Sequence, residues 1–447
     1  MTRRALLKWS LAAGAALGVS RSRICEILER TAGKGVAFAA GVRRTNRLVA
    51  LACGNGGLSH FQLFWPQVDV ALARDPRFAW HRPREEQLIG GTDRPLAIGP
   101  DTPWASLPPE RQVTCFVCGV TETHVRNVQS TSILNGSNVF AIASKLQSST
   151  ALVPVVTIGD TSIGSATGAP IASNVDSADG LVALFDSAAS QASGALAASG
   201  DAALFKAQYD TFVQLTRAST RVTQKPAYAV ASAAARVVGT NLVSQLAITP
   251  EDLARYGIDG STRPQVAAVG RAFIVAVRAF AAGLTDALLL PAMTDDPHKH
   301  FDNNDVAVVP PQLKAVFDAF MADLMATNDD VTGDPLADHT VIALNGDTPK
   351  HCLVRDDWPD NTPSNSNLMF IYSAGQLRSG WFGSIDRHGN VQGAGPDGEP
   401  TVYDGALTAK LATASLAYAV AKGDETRISD FANGVVVGDA FGARKDK

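Results

Sequence analysis

The sequence predicts an α/β fold, a three-layer α/β/α sandwich around a mostly parallel central sheet. Short apolar runs recur along the chain, and each stops at glycine or polar residues, which is the pattern of parallel strands buried on both faces. Longer stretches with helical periodicity separate these runs, as in strands joined by crossover helices. Of the 447 residues, 46% are hydrophobic and 18% are charged, which is typical of a folded globular protein and excludes a disordered chain, a coiled coil or a polytopic membrane protein.

Five apolar runs are predicted to be parallel strands of this sheet. They span residues 47–53, 113–120, 151–158, 339–344 and 368–372. In open parallel sheets, the ligand binds beyond the carboxyl ends of the strands. We therefore expect functional residues directly after these runs.

Apolar residues at helical spacing predict the intervening helices. Leu181, Leu184 and Phe185 indicate a helical, Ala/Ser-rich subregion over about residues 173–240. Further helices are predicted over residues 264–290, 311–326 and 405–421. The stretch between Gly380 and the last helix is expected to be rich in loops. Residues 40–447 are predicted to form a single domain.

The first 39 residues are predicted to be a twin-arginine export signal and a spacer. Arg3 and Arg4 precede an apolar stretch over 9–19, and no acidic residue occurs before Glu26. The apolar stretch is shorter than the roughly 20 residues that span a bilayer. We expect a periplasmic or cell-surface protein, either cleaved near Ala39 or left tethered by its signal.

The charge balance excludes two classes of partner. The chain has 39 basic and 43 acidic residues, with a formal net charge of −4. This bias gives no basic surface for nucleic acid or for an anionic membrane. We expect no nucleic-acid partner and no membrane span beyond the export signal, and the sequence identifies no protein partner.

Cys115 and Cys118 have the spacing of a redox or zinc pair but lie in a predicted strand. Residues three apart in an extended strand are about 10 Å apart and point to opposite faces. This distance exceeds the limit of roughly 7 Å between the Cα atoms of a disulfide. We predict that both are buried structural cysteines. In an oxidising compartment, a disulfide between Cys53 and one of them is an alternative that the sequence leaves open.

Five polar clusters follow predicted strands or helices, at 56–60, 124–127, 298–305, 345–349 and 355–358. Imidazole and carboxylate groups are ligands of divalent metals, and two such ions can polarise an ester oxygen and activate a nucleophile. Taken singly, each cluster favours a hydrogen-bonding loop, but the position of all five beside predicted strand or helix ends favours a metal site. The identity of the metal stays open. The candidate metal ligands are His60, His124, His298, His300, Asp302, Asp347 and Asp357.

Other signatures are incomplete. The glycines after the first strand do not form the dinucleotide-binding G-x-G-x-x-G motif, and the G-x-S-x-G nucleophile elbow of hydrolases is missing. The acidic stretch 302–305 is too short for a calcium loop. The sequence therefore supports neither a nucleotide site nor a hydrolase triad.

The same clusters, in this order, resemble those of the secreted bacterial family known as domain of unknown function 1501. This family carries twin-arginine signals and is distantly similar to sulfatases and alkaline phosphatases, so the resemblance implies an alkaline-phosphatase-like fold. It extends over nearly the whole chain through short motifs. The matching segments are Gly56-Gly57-Leu58-Ser59-His60, Thr123-His124, Pro297-His298-Lys299-His300, Asn345-Gly346-Asp347-Thr348-Pro349, Val354-Arg355-Asp356-Asp357-Trp358, and the glycines Gly375, Gly380 and Gly383.

Three positions differ from the family pattern. Gln62 replaces a carboxylate, His298 replaces an aspartate, and Asp357 replaces a histidine. A sulfatase-like Cys-x-Pro-x-Arg motif is also missing. Two functions are expected from the resemblance: an exported sulfatase/phosphatase-like scaffold with an altered or impaired metal site, or an active metal-dependent hydrolase of phosphate or sulfate esters.

Overall fold

The computed structural model describes most of the residues that form the core. The described residues are 45–53, 64–68, 87–118, 133–134, 137–138, 141, 145–147, 151–159, 169, 171–194, 241–291, 305–329, 331–346, 368–385, 390–432 and 435–443.

The described strands form one large sheet and three small ones. In chain order they are β1 (Arg47–Cys53), β2 (Gln87–Leu88), β3 (Ala97–Ile98), β4 (Thr114–Val117), β5 (Ile133–Leu134), β6 (Ser137–Asn138), β7 (Val155–Ile158), β8 (Ser173–Val175), β9 (Ala287–Pro291), β10 (Thr340–Gly346), β11 (Leu368–Tyr372), β12 (Gly380–Phe382), β13 (Ser384–Ile385), β14 (Val391–Ala394) and β15 (Pro400–Val402).

The described helices occur between and after these strands. They are α1 (Ala178–Gly194), α2 (Leu242–Leu246), α3 (Pro250–Arg255), α4 (Pro264–Ala281), α5 (Asp305–Ala326), α6 (Gly405–Val420), α7 (Glu425–Ala432) and α8 (Val437–Ala440). Two 3₁₀ turns, Pro109–Arg111 and Leu336–His339, precede β4 and β10.

The central sheet has eight strands in the order β12-β4-β11-β10-β1-β9-β7-β8. The contiguous strands from β10 to β8 are parallel to one another, and β4 and β12 run in the same direction. Among the described strands of this sheet, β11 alone is antiparallel to its neighbours. The prediction of a mixed α/β protein with a large, mostly parallel sheet is confirmed.

Each face of the sheet carries its own hydrophobic core, because successive residues of a strand point to opposite faces. Val49 and Leu51 of β1 contribute to one core, and Leu48 and Ala50 contribute to the other. The first core also contains α4 and α5, where the rings of Phe273 and Phe320 stack with centroids 4.0 Å apart. The second core contains α6, α7 and α8. Helices therefore cover both faces.

The direction of one predicted strand is wrong. Residues 368–372 form β11, as expected, but this strand pairs antiparallel with both β10 and β4. An apolar run of this length is buried on both faces in either direction, so its composition does not encode its direction. The other four predicted strands correspond to β1, β4, β7 and β10 and share one direction.

The predicted helix over 264–290 is two elements. Helix α4 ends at Ala281, and the chain then forms β9 between β1 and β7. Gly283 has a φ of +65° and follows the last turn, and the amide of Leu284 donates to the carbonyl of Ala279. A left-handed glycine of this kind is a common helix stop. The apolar residues 287–290 follow the helix after only a short interruption at Thr285 and Asp286, so the change of element was missed.

Three other predictions of elements need correction. Residues 173–175, placed in the helical subregion, form strand β8, and α1 follows it with Leu181 and Phe185 fully buried. Residues 195–240 of that subregion lie outside the described residues.

Two elements in the second half of the chain also differ from the prediction. Helix α5 begins at Asp305, before the predicted start, and the expected loops after Gly380 contain β12 to β15. Helix α6 confirms the last predicted helix.

The cysteine prediction is confirmed for the β4 region. Cys115 and Cys118 are buried, belong to opposite cores and are not joined in a disulfide. Burial raises the pKa of the Cys115 thiol, which keeps it protonated. Strands β10 and β11 separate β1 from β4, so Cys53 is about 14 Å from that strand at the usual strand spacing. This separation excludes the disulfide from Cys53.

Helix α4 is, among the described helices, long and apolar enough by length and composition to cross a membrane. Its residues Val266, Phe273 and Phe280 are fully buried in the first core. Here its apolar surface is covered by the protein.

Candidate functional site at the carboxyl edge of the sheet

Several strand ends lie side by side at one edge of the central sheet, which we call the carboxyl edge. Cys53 at the end of β1 is opposite Gly346 at the end of β10, and Ala52 is opposite Pro291 at the end of β9. These registers align the carboxyl ends of three neighbouring strands.

Strand β11 starts at the carboxyl edge because it runs antiparallel to β10, and its other neighbour, β4, ends at this edge. Its first residue, Leu368, is opposite Val117 at the end of β4, and Met369 is opposite Asn345 of β10. The carboxyl edge therefore includes the ends of β1, β4, β9 and β10 and the start of β11.

All seven candidate metal ligands lie outside the described residues, in segments that begin or end at the carboxyl edge. Segment 54–63 follows β1, 119–132 follows β4, 292–304 follows β9, and 347–367 connects β10 to β11. In that order, these segments contain His60, then His124, then His298, His300 and Asp302, and then Asp347 and Asp357. The topology brings their attachment points together.

The described part of the chain contains no group of three or more His, Cys, Asp or Glu residues that could hold a metal ion. At the carboxyl edge it contributes Asn345, which is fully buried in β10. At the outer strands, the side-chain amide of Asn174 donates to Thr157 Oγ1 at 3.0 Å and to the carbonyl oxygen of Gly159 at 2.8 Å. These bonds connect β8 to the end of β7 at the outer part of the carboxyl edge.

The opposite, amino edge of the sheet carries charged groups that the sequence analysis missed. Arg47 begins β1 and forms an ion pair with Asp329, and both side chains are fully buried. Arg47 also donates to the carbonyl of Phe280 at 2.8 Å. An arginine beside an apolar strand gives no local sign of the distant carboxylate that pairs with it.

Two further groups of polar contacts lie near this amino edge, one around Arg111 and one around His339. Arg111 donates to the hydroxyl of Tyr372 at 2.8 Å and pairs with Asp338 at 2.6 Å. Burial raises the pKa of Tyr372, although Arg111 opposes this change. His339 contacts Lys422 and Asp334 from the turn that precedes β10.

Comparison of the chain with protein-family models, with curated proteins and with solved structures finds no match.

Proposed function

We propose that this chain is an exported protein with an alkaline-phosphatase-like scaffold and an altered divalent-metal site at the carboxyl edge. The observation that carries the proposal is the shared edge. The segments after β1, β4 and β9 and the connection from β10 to β11 all attach there, and each contains His or Asp residues. Ligands of open α/β sheets bind at this edge.

The donor set suits a divalent cation of borderline hardness. The candidate residues provide four imidazoles and three carboxylates, which are ligands that zinc and similar ions accept. Gln62, His298 and Asp357 change the charge and reach of the set relative to the family that the chain resembles. An altered set of this kind supports a site whose metal preference differs from that family's.

Hydrolysis of phosphate or sulfate esters is the second candidate function. A bound divalent cation would supply Lewis-acid polarisation of an ester oxygen. The residues that would hold this cation are the four imidazoles and three carboxylates of the candidate set, and the carboxylates would balance part of its charge. Missing nucleophile signatures favour the scaffold over the hydrolase.

The metal content of the exported protein tests the proposal. We expect near-stoichiometric metal in protein purified from the periplasm of its own host, and less in His300→Ala. A chelator should lower the melting temperature of the wild type to that of His300→Ala. If free metal exceeds the Kd about a hundredfold, binding adds about 2.7 kcal/mol to the free energy of unfolding.

A matched control is His388→Ala, which removes an imidazole outside the five clusters, in the connection between β13 and β14. This variant should keep its metal and its response to the chelator. Wild-type protein with no bound metal and a melting temperature that chelators leave unchanged would contradict the metal site. Chelator-sensitive turnover of a phosphodiester or a sulfate ester would replace the scaffold with the hydrolase.

A further inference from the structure

His339 lies at the amino edge and bridges two separate parts of the chain. It is the last residue of the 3₁₀ turn before β10, and 9% of its side chain is exposed. Its Nε2 is 3.3 Å from Asp334 Oδ2, in the loop before that turn. Its Nδ1 is 2.9 Å from Lys422 Nζ, just after helix α6.

The contact with Lys422 sets the protonation state of the ring. A lysine ammonium group has donors but no acceptor, so Nδ1 must accept a hydrogen bond and carry no proton. The proton of the uncharged ring is then on Nε2, from which it is donated to Asp334. Lys422 has a φ of +59°, in the left-handed region that few non-glycine residues adopt, and this turn brings its side chain back toward the ring.

The charged groups around His339 come from three elements. The loop over 329–335 contributes Asp334 and Asp329, the turn after α6 contributes Lys422, and β1 contributes Arg47, which pairs with Asp329. Burial and the charge of Lys422 lower the pKa of His339 and outweigh the two carboxylates, which act in the opposite direction.

We propose that Asp334, His339 and Lys422 form an acid-sensitive clasp between the start of β10 and the end of α6. The uncharged ring holds the clasp closed. Once the ring is protonated, Nδ1 becomes a donor that faces the ammonium donor of Lys422, and two positive charges meet in a nearly buried site. The hydrogen bond to Lys422 is then lost, and the turn after α6 separates from the turn before β10.

The direction of the pH effect follows from the lowered pKa. The clasp stabilises the fold fully above the ordinary histidine value of about 6.5, where the ring is uncharged in both the folded and unfolded states. As the pH falls below that value, the unfolded state takes up a proton first, and stability is lost until the folded ring also titrates. This proposal is independent of the metal site.

An NMR titration of the His339 ring tests the contact directly. We expect a pKa below about 6.5 in the full-length wild type. In Lys422→Met the pKa should rise, because the neighbouring positive charge is gone. Lys410→Met removes the same charge from helix α6 away from the ring and should leave the pKa unchanged. A wild-type pKa at or above the ordinary value, or no rise in Lys422→Met, would overturn the clasp.

Hydrogen exchange tests the opening. Between about pH 7.5 and pH 5, amide exchange in the segments 336–342 and 417–424, corrected for its intrinsic pH dependence, should increase in the wild type. His339→Gln can donate and accept hydrogen bonds but cannot become charged, so this increase should disappear. The same increase in His339→Gln, or none in the wild type, would contradict the proposal. The titration of Lys422→Met tests it independently if His339→Gln does not fold.

Discussion

Arg47 and Asp329 form a fully buried ion pair, so the stability of the protein should depend strongly on keeping both charges. Removing one partner leaves the other charge buried without its counter-charge, because both side chains are fully buried. We expect Asp329→Asn to lower the free energy of unfolding by about 3–5 kcal/mol, measured by urea denaturation.

The control for this prediction is an ion pair at the surface. Glu399, whose side chain is 66% exposed, lies 3.5 Å from Arg94. Glu399→Gln should cost no more than about 1 kcal/mol, because solvent screens an exposed pair. Equal costs for the two variants would show that the buried pair contributes no more than a surface pair.

Little about this pair could be predicted from single residues. The two charges are far apart in the sequence, and both neighbour apolar or loop segments without a distinctive motif. Their pairing depends on the connection after α5, which places Asp329 next to the start of β1. The same holds for Lys422 and His339, which meet only because α6 packs along the neighbouring strands.

At the start of strand β12, the backbone of Gly380 leaves no room for a side chain. Gly380 begins this strand with a φ of +99°, and a Cβ atom there would be 2.5 Å from the carbonyl oxygen of Arg94. We expect Gly380→Ala to lower the free energy of unfolding by about 1–3 kcal/mol, through backbone strain and displacement of the Arg94 segment.

Gly260 gives the matched control, because a Cβ atom at that position would meet nothing within 4 Å. Gly260→Ala should change the free energy of unfolding by less than about 0.5 kcal/mol. Thermal or urea denaturation of the two variants in parallel measures the difference. A Gly380→Ala protein as stable as Gly260→Ala would show that the start of β12 relaxes without cost.

Helices with regular apolar spacing were the most predictable elements. The predicted residues Val316, Phe317, Phe320 and Leu324 of α5 are all fully buried. In contrast, the apolar stretch after α4 carries no periodicity that separates a helix from a buried strand. Strand β9 was therefore missed, although Gly283 marked the end of the helix before it. Strand β8 was missed for a different reason, because Ser173–Val175 is not an apolar run.

Export by the twin-arginine route is a prediction for the protein as a whole. We expect the double variant Arg3→Lys/Arg4→Lys to stay in the cytoplasm, because the pathway recognises the arginine pair. Cell fractionation followed by detection of the chain measures this. Arg43→Lys/Arg44→Lys changes a second arginine pair outside the signal and should be exported normally. Equal export of both variants would exclude the pathway.

Local sequence patterns were enough to predict five strands of the central sheet and most of the helices that cover them, whereas the metal site stays a prediction. These properties depend on side-chain chemistry and on periods of two or 3.6 residues within one segment. Strand order, the reversed direction of β11, the common edge of the polar segments and the ion pairs at the amino edge came from the folded chain. They depend on contacts between segments that are distant in the sequence. These contacts form only when the chain folds and buries a hydrophobic core on each face of the sheet.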